Sequence, residues 1–519
     1  MNIRELLEKQ VKGNAEKVYL YFQDQEVTYR TLNQKSNQVA NGFLELGIRK
    51  GDKVALLLSN CPEFLYVWFG LNKMGAVMVP INLALKEGEI LYVVNHSEAK
   101  ALVAQNAHRD FLEKFKKENP SLQIIMLGDP FPRGYHYESW VEKQKDSLPP
   151  VPVAEEEHAV YVYTSGTTGS PKGVMLPHQS YVLTGQSYAH MVGIEPEDRV
   201  MTANPLFHIN AQAYSVMGSL AAGASLILIE KFSASKLWEQ AKHYQATKLV
   251  LLLPLTHILF NRPVSEKDQE HSVEKVIAGG APKGHFRDFE KRFGVRLQTI
   301  FSLTESPLAI MSPRESESKD GGIGIPMLLP DGAIKNEVKV INPDGMEVYP
   351  HTVGEIVIRN PAIMKGYFKD ENLTSKTIHE GWLHTGDSGY RDEEGYFFFT
   401  GRMKEIIRRK GENISALEVE AVIHRHPRVL ESAVIGIPSP SGFGDEEVKA
   451  YVVLKRDQCL AYSELIEFLS RELDPFKVPR YLEYRPDLPK NVMGRVMKEV
   501  LKQERSDLTK GCYDREKKT

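Results

Sequence analysis

The chain has 519 residues, too many for one ordinary core, and the usual domain size predicts roughly three structural units. Hydrophobic residues make up 42%, and 65 basic against 68 acidic side chains leave a formal net charge of −3, which excludes intrinsic disorder and a surface built throughout for nucleic acid. With 38 glycines, 29 prolines and only Cys61, Cys459 and Cys512, collagen-like, low-complexity, disulfide-framework and CxxC classes are excluded too, and a reducing cytoplasmic setting is expected.

In chain order, residues 1–10 (MNIRELLEKQ) form a polar amphipathic start with neither an apolar core nor a cleavage site, so no secretion signal is expected. Aliphatic runs at 53–58, 76–80, 100–103, 123–127 and 159–163 predict buried strands, and 31–46, with Leu32, Val39, Ala40, Phe43 and Leu44 near helical spacing, predicts a helix between them. That alternation implies an α/β fold with a mostly parallel sheet. Runs at 199–202, 225–230, 248–253 and 275–278 continue it in a second, similar α/β subdomain. The most apolar window, 249–260 (LVLLLPLTHILF), is too short to span a bilayer and predicts a buried strand and turn, so no integral membrane segment is expected. From Gly322 onward, Gly- and Pro-punctuated short runs predict an antiparallel, partly barrel-like β-rich subdomain. After Gly401 a charged stretch (RMKEIIRRKGENIS) leads into a compact α+β pattern: helix 416–426, strands 430–436 and 448–454, helix 463–473. The expected organisation is a large N-terminal body over 1–401, a hinge at 402–405 and a small mobile C-terminal lid over 406–519, about 115 residues and a plausible domain. The tail after Leu508 is polar and expected to fray.

Residues 163–174 (YTSGTTGSPKGV) carry the strongest chemical signal. Gly166 and Gly169 let backbone amides approach a ligand closely, Ser165, Thr167 and Thr168 supply hydroxyls, and Lys172 supplies positive charge; together they suit a polyphosphate. The segment follows a predicted strand, which argues against a flexible linker, and it fits neither the Walker A nor the GxGxxG pattern. No GxSxG or HExxH occurs, so a serine hydrolase and a zinc hydrolase are not indicated.

This segment resembles the signature loop of the acyl-adenylate-forming superfamily, which holds acyl-CoA synthetases, adenylation domains and luciferases. Further stretches match in the same order: 278–282 (AGGAP), 301–305 (FSLTE), 381–387 (GWLHTGD), 401–404 (GRMK) and 488–498 (LPKNVMGRVMK). Within the superfamily the resemblance runs strongest towards bacterial carnitine/crotonobetaine CoA ligases, through 230–244, 381–399 and 476–491.

The resemblance implies activation of a carboxylic acid by ATP to acyl-AMP with release of pyrophosphate, then transfer to coenzyme A. It assigns Thr164, Ser165, Gly166, Thr167, Thr168, Gly169 and Lys172 to the phosphates, Gly280, Ala281 and Pro282 to the adenine border, and Phe301 to adenine stacking, with Ser302 and Thr304 beside it. Asp387 and Arg402 would hold the ribose, Thr168 and Glu305 a Mg²⁺ ion, and Lys404 would be the hinge. Lys172, His208, Thr304, Glu305 and Arg495 would carry the chemistry, and Phe207 would join His208 in the acid pocket. The basic run Arg408, Arg409, Lys410, Gly411 would neighbour coenzyme A, its alternative being a solvated loop. Two departures stand out. Phe301-Ser302 replaces the usual Tyr-Gly, and Arg495 replaces the usual lysine after Gly494, an exchange that alters reach and geometry. Arg495 is expected to keep the role, with Lys490 and Lys498 as alternatives.

A carnitine-like, fatty or aryl acid all remain open, Tyr214 and Phe207 being candidates for an aromatic cage around a trimethylammonium group. An adenylate-forming amide synthetase or a carrier-protein ligase would keep the same nucleotide motifs, as would a non-catalytic nucleotide-binding homologue. Small-molecule partners, no nucleic acid, and a monomer or homodimer complete the expectation.

Overall fold

The computed structural model describes the chain except for residues 165–170, 280–285, 316–317, 320, 331, 333–334, 410–411, 440–445, 491–493, 495 and 518–519. Aliphatic runs without polar alternation form strands that bury both faces, as parallel sheets between helices require. The first such unit is a seven-stranded sheet whose core strand Lys53–Leu57 lies parallel to both Val77–Pro80 and Ala99–Gln105. Its last two strands, His158–Thr164 and Lys172–Pro177, form an antiparallel hairpin, so the glycine-rich segment joins two strands. Helix Tyr29–Glu45 starts where the Thr28 side chain accepts from the Thr31 amide, and it buries Leu32, Val39, Ala40 and Phe43. Each aliphatic side chain so removed from water contributes about 1.5–3 kcal/mol.

The second α/β unit and the β-rich segment share one fourteen-stranded sheet. Parallel strands Arg199–Thr202, Ser225–Leu228, Lys248–Leu251 and Lys275–Ala278 run to Arg296–Leu303, where the direction reverses into Ser306–Met311. The antiparallel strands from Gly322 onward are hydrogen-bonded onto that reversal, so the β-rich subdomain extends the second sheet. At the other edge Val18–Phe22 pairs parallel with Ser225–Leu228, a pairing across the whole first unit.

From Ile406 a short hairpin, Ile406–Arg409 with Glu412–Ser415, leads to helix Ala416–His424 and a separate four-stranded sheet. The apolar clusters formed after Ile407 share no member with those of the preceding chain. The expected helix–strand–strand–helix order is present, as helix Ala416–His424, strands Val429–Pro438 and Glu446–Leu454, and helix Tyr462–Glu472.

Two expectations are corrected. The window 249–260 is a strand followed by helix Leu253–Phe260 with proline in its first turn, where the missing N–H costs nothing. The tail does not fray throughout: Tyr513–Asp514 pairs with Tyr481–Tyr484, Tyr513 stacks on Tyr462 at 5.0 Å, and Asp514 meets Arg480 at 3.1 Å. Among the described residues, no helix is long and apolar enough to cross a membrane.

Candidate active site

A cavity of about 1090 Å³ opens between the end of the second sheet and the segment beyond Gly401. Strand ends and the turns that follow them build most of its wall, the place where α/β folds leave backbone and side chains converging on a ligand. Thr164, His208, Phe301, Ser302, Thr304, Glu305, Arg402 and Lys404 all line it.

Lys172 is paired in register with Thr164, and its Nζ lies 5.9 Å from the centre of the Tyr367 ring. The Tyr367 hydroxyl donates to Glu305 Oε1 at 2.8 Å. Burial, then the Glu305 charge, push the Tyr367 phenol far above its ordinary value, so it remains a donor. Backbone bonds fix this cluster: Met364 N–H donates to the Glu305 carbonyl, and Phe368 N–H to the Gly173 carbonyl, both at 2.8 Å. Gly366 makes the turn at φ 132°, and a Cβ there would sit 2.6 Å from Thr374 Cγ2, so only glycine fits.

His208 follows the strand Arg199–Thr202 on a turn before π-helical residues Ala211–Val216, a helix form often found at functional sites. Its Nδ1 accepts the Asn210 backbone N–H at 3.2 Å, which leaves the proton of the neutral ring on Nε2. Burial pushes its pKa down to about 4. At neutral pH His208 therefore offers a neutral donor, neither a cation nor a proton reservoir.

Asp387 and Arg402 face each other across paired strands, Oδ1 to Nε 3.1 Å, with Asp387 only 2% exposed. The turn before Asp387 is held by Glu355, which accepts the Gly386 N–H at 2.9 Å and contacts His384 Nδ1 at 2.9 Å. Phe301 lies 5.7 Å from Phe399, both rings on the cavity wall.

The C-terminal part closes the other side. Ser415 donates to the Thr400 carbonyl across the junction. Lys498, beside the cavity, meets Glu420 at 2.8 Å and Glu405 at 3.1 Å. Burial disfavours its ammonium form, but the two carboxylates outweigh that and raise its pKa.

Of the sequence-expected site residues, Ser165, Gly166, Thr167, Thr168, Gly169, Gly280, Ala281, Pro282, Lys410, Gly411 and Arg495 lie outside the described residues. Their neighbours Thr164, Gly279 and Val496 all reach the cavity. Lys490 is engaged by Glu431 at 2.7 Å and is not part of the wall, whereas Lys498 is. Two placements depart from expectation. Arg409 is buried, 3% exposed, and bonded to Glu447 at 2.7 Å; strand alternation turns it inward with Ile407, so it is no phosphate ligand. Tyr214 is fully buried, its hydroxyl donating to the Pro307 carbonyl at 2.7 Å, and with Phe207 it stays out of the wall and forms no cage. Sequence reasoning missed Tyr367, Glu355 and Asn210. The Gly-Tyr pair at 366–367 and the Asn in FHIN were the available signals.

The chain is similar to known proteins along nearly its whole length. Residues 7–368 match the family of AMP-binding enzymes, and 418–495 match the AMP-binding enzyme C-terminal domain. The crotonobetaine/carnitine–CoA ligase of Salmonella typhimurium is 34% identical over 521 aligned positions, covering 96% of this chain and 99% of that protein. The anthranilate CoA ligase AuaEII in complex with anthranoyl-AMP superposes with a TM-score of 0.90 at 25% identity, covering 97% of each chain. ATP-bound MatB from Rhodopseudomonas palustris gives 0.88 at 25% identity, covering 98% of this chain and 100% of that one.

Proposed function

Since the chain belongs to the AMP-binding enzyme family, we propose that it activates a carboxylic acid with ATP and passes the acyl group to coenzyme A. The observation that carries this reading is the convergence of Thr164, His208, Phe301, Glu305 and Arg402 on one cavity that the C-terminal segment closes with Lys498.

In the first step a carboxylate oxygen attacks the α-phosphorus, the new P–O bond forms, and the bond to pyrophosphate breaks; no proton is consumed. Two unit anions 4 Å apart repel by about 4 kcal/mol at an effective dielectric of 20, so positive charge has to be in place before they meet. Lys172, held beside Tyr367, and Arg495 are assigned that task. The residues fit a magnesium ion: Glu305 spends one oxygen on Tyr367 and keeps the other, a hard donor, with Thr168 as partner. Such an ion would screen phosphate charge. Asp387 and Arg402 are assigned to the ribose, Gly280, Ala281, Pro282, Phe301 and Ser302 to the adenine, with Thr304 between them. His208 would donate from Nε2 to the acid or its adenylate.

In the second step the thiol sulfur attacks the acyl carbon, the C–S bond forms, AMP leaves, and the thiol proton passes to AMP or water. The present arrangement places residues 496–500 in the cavity, so coenzyme A entry would need the part after 402–405 to turn about Lys404, as hinge closures do. Lys410 and Gly411, beside exposed Arg408, would then approach the coenzyme.

A panel of carboxylic acids, scored for pyrophosphate exchange and for AMP release with and without coenzyme A, tests this reading. Thiol-dependent AMP release with acyl-CoA as product is expected. An amide product, or nucleotide binding with no exchange for any acid, would overturn it.

A further inference from the structure

Part of the cavity wall bears on which kind of acid would bind. Asn210 lines it while being only 6% exposed. Its Oδ1 is occupied by the Asn204 amide at 2.7 Å, so the remaining amide group, two N–H donors, has the cavity as its open side. His208 adds its Nε2–H from the same turn. Around them Ile209, Leu252, Leu253, Ile300 and Leu303 give an apolar wall. Among the described residues, the carboxylates on the cavity wall are Glu305 beside Tyr367, Glu405 and Glu420 on Lys498, and Glu499 on the C-terminal segment.

Depth is limited as well. The wall residue Ser302 meets the hydroxyl of Tyr214, which lies outside the wall itself. Tyr214 lies 5.1 Å from Tyr188, both fully buried, and Tyr188 packs so close to the next helix that a Cβ on Gly218 would sit 2.5 Å from its ring. A floor packed that tightly does not yield to a longer ligand.

Resting on the ligase reading above, we propose that the acid is compact and carries no cationic tail, that an oxygen acceptor on it is bound by Asn210, and that Tyr214 sets the depth of its site. A trimethylammonium group against Asn210 would meet two donors and hydrocarbon, while Glu305 is engaged by Tyr367 and Glu405 and Glu420 by Lys498. An acid bearing a further carbonyl, hydroxyl or carboxylate oxygen would give the cavity-facing Asn210 amide an acceptor.

The test pairs each trimethylammonium acid with its tert-butyl isostere, such as 4-(trimethylammonio)butanoate with 5,5-dimethylhexanoate, within a panel of straight-chain, oxygenated and aryl acids. The readout is kcat/KM for AMP release by the full-length enzyme, with melting curves as the folding check. The wild type is expected to favour the neutral partner by about a hundredfold or more, and Asn210→Asp, which keeps the Asn204 contact, to narrow that ratio at least about tenfold. Tyr214→Val is expected to move the fall in rate to longer straight chains, while Tyr214→Phe, which keeps the ring, leaves it in place. A betaine acid among the fastest substrates, a ratio untouched by Asn210→Asp, or an unshifted chain-length profile in a folded Tyr214→Val enzyme would overturn the proposal. AMP release from no acid in the panel would instead overturn the ligase reading, and this inference with it.

Discussion

The two sides of the cavity are held by different physics. On the body side, beside the charged Glu305 and Arg402, stand neutral, packed groups: His208 with its single ring proton, Asn210 tied to Asn204, and behind the wall Tyr214 bonded to the Pro307 carbonyl. On the C-terminal side they are charged and paired, Lys498 between Glu420 and Glu405 and Arg409 against Glu447. Neutral hydrogen bonds in a dense core keep a fixed geometry at little desolvation cost. Charged pairs next to a hinge can be exchanged for water or for other partners, so they suit a surface that has to release and re-form. The contrast suits the proposed division of recognition to the body and gating to the C-terminal part.

The largest effect should come from Glu305, the carboxylate on the body side of the wall among the described residues. Glu305→Gln keeps an oxygen for the Tyr367 hydroxyl but removes the charge. Pyrophosphate exchange should fall at least about hundredfold, with unchanged melting in the absence of nucleotide. An exchange rate within a few fold of wild type would remove Glu305 from the metal site.

The second sharpens the claim that the body buries neutral groups. His178 is fully buried, and neither ring nitrogen has a hydrogen-bond partner in the structure. Burial lowers its pKa from 6.5 to about 4. The unfolded chain takes up a proton as pH drops below about 6.5 while the native chain resists until about 4. Stability is therefore fully present above the unfolded value and lost as pH falls through that window, by at most about 3 kcal/mol for this group. His178→Leu should flatten this part of the stability–pH curve in denaturant titrations at pH 7 and pH 4.5. An unchanged difference between the two pH values would place the acid sensitivity elsewhere.

The third tests the gating side. Lys498→Met leaves Glu420 and Glu405 without their ammonium and should weaken the arrangement in which residues 496–500 line the cavity. Pyrophosphate exchange should fall about tenfold, while thioester formation from supplied acyl-AMP should fall less, because that step needs the segment displaced. Equal losses in both half-reactions would mean that Lys498 does not hold one orientation against another.

Much of this contrast could be read in the chain, and the unread part has physical reasons. The aliphatic runs at 53–58 and 123–127 announced parallel strands because burial on both faces leaves no polar alternation. The motif at 301–305 pointed to the wall that holds Phe301, Ser302, Thr304 and Glu305. Long-range pairing left no such mark: nothing local in Val18–Phe22 says that it joins Ser225–Leu228. The tail looked too polar to dock, yet strand pairing, the Tyr513–Tyr462 stack and ion pairs from Asp514 and Glu516 attach it. Arg409 was misread from its charge, although its period-two spacing from Ile407 carried the inward orientation. At 253–260 the proline marked a helix start, a signal that a short apolar run otherwise hides.

The smallest effect concerns Tyr367, which couples the two kinds of physics by placing a neutral hydroxyl on the Glu305 carboxylate. A hydrogen bond to a charged acceptor contributes about 1.5–3 kcal/mol net, and the cost falls below that range where water in the cavity can take the place of the lost hydroxyl on Glu305. Tyr367→Phe keeps the ring beside Lys172 and the backbone bonds of its turn. Its cost should therefore be about threefold to tenfold in pyrophosphate exchange, expressed as a higher magnesium requirement because the freed carboxylate oxygen is no longer oriented. A magnesium titration separates this from simple loss of packing, since saturating metal should restore most of the rate. If saturating magnesium restores nothing, Tyr367 acts on the fold of the 363–368 turn and the body side is less rigid than the comparison holds.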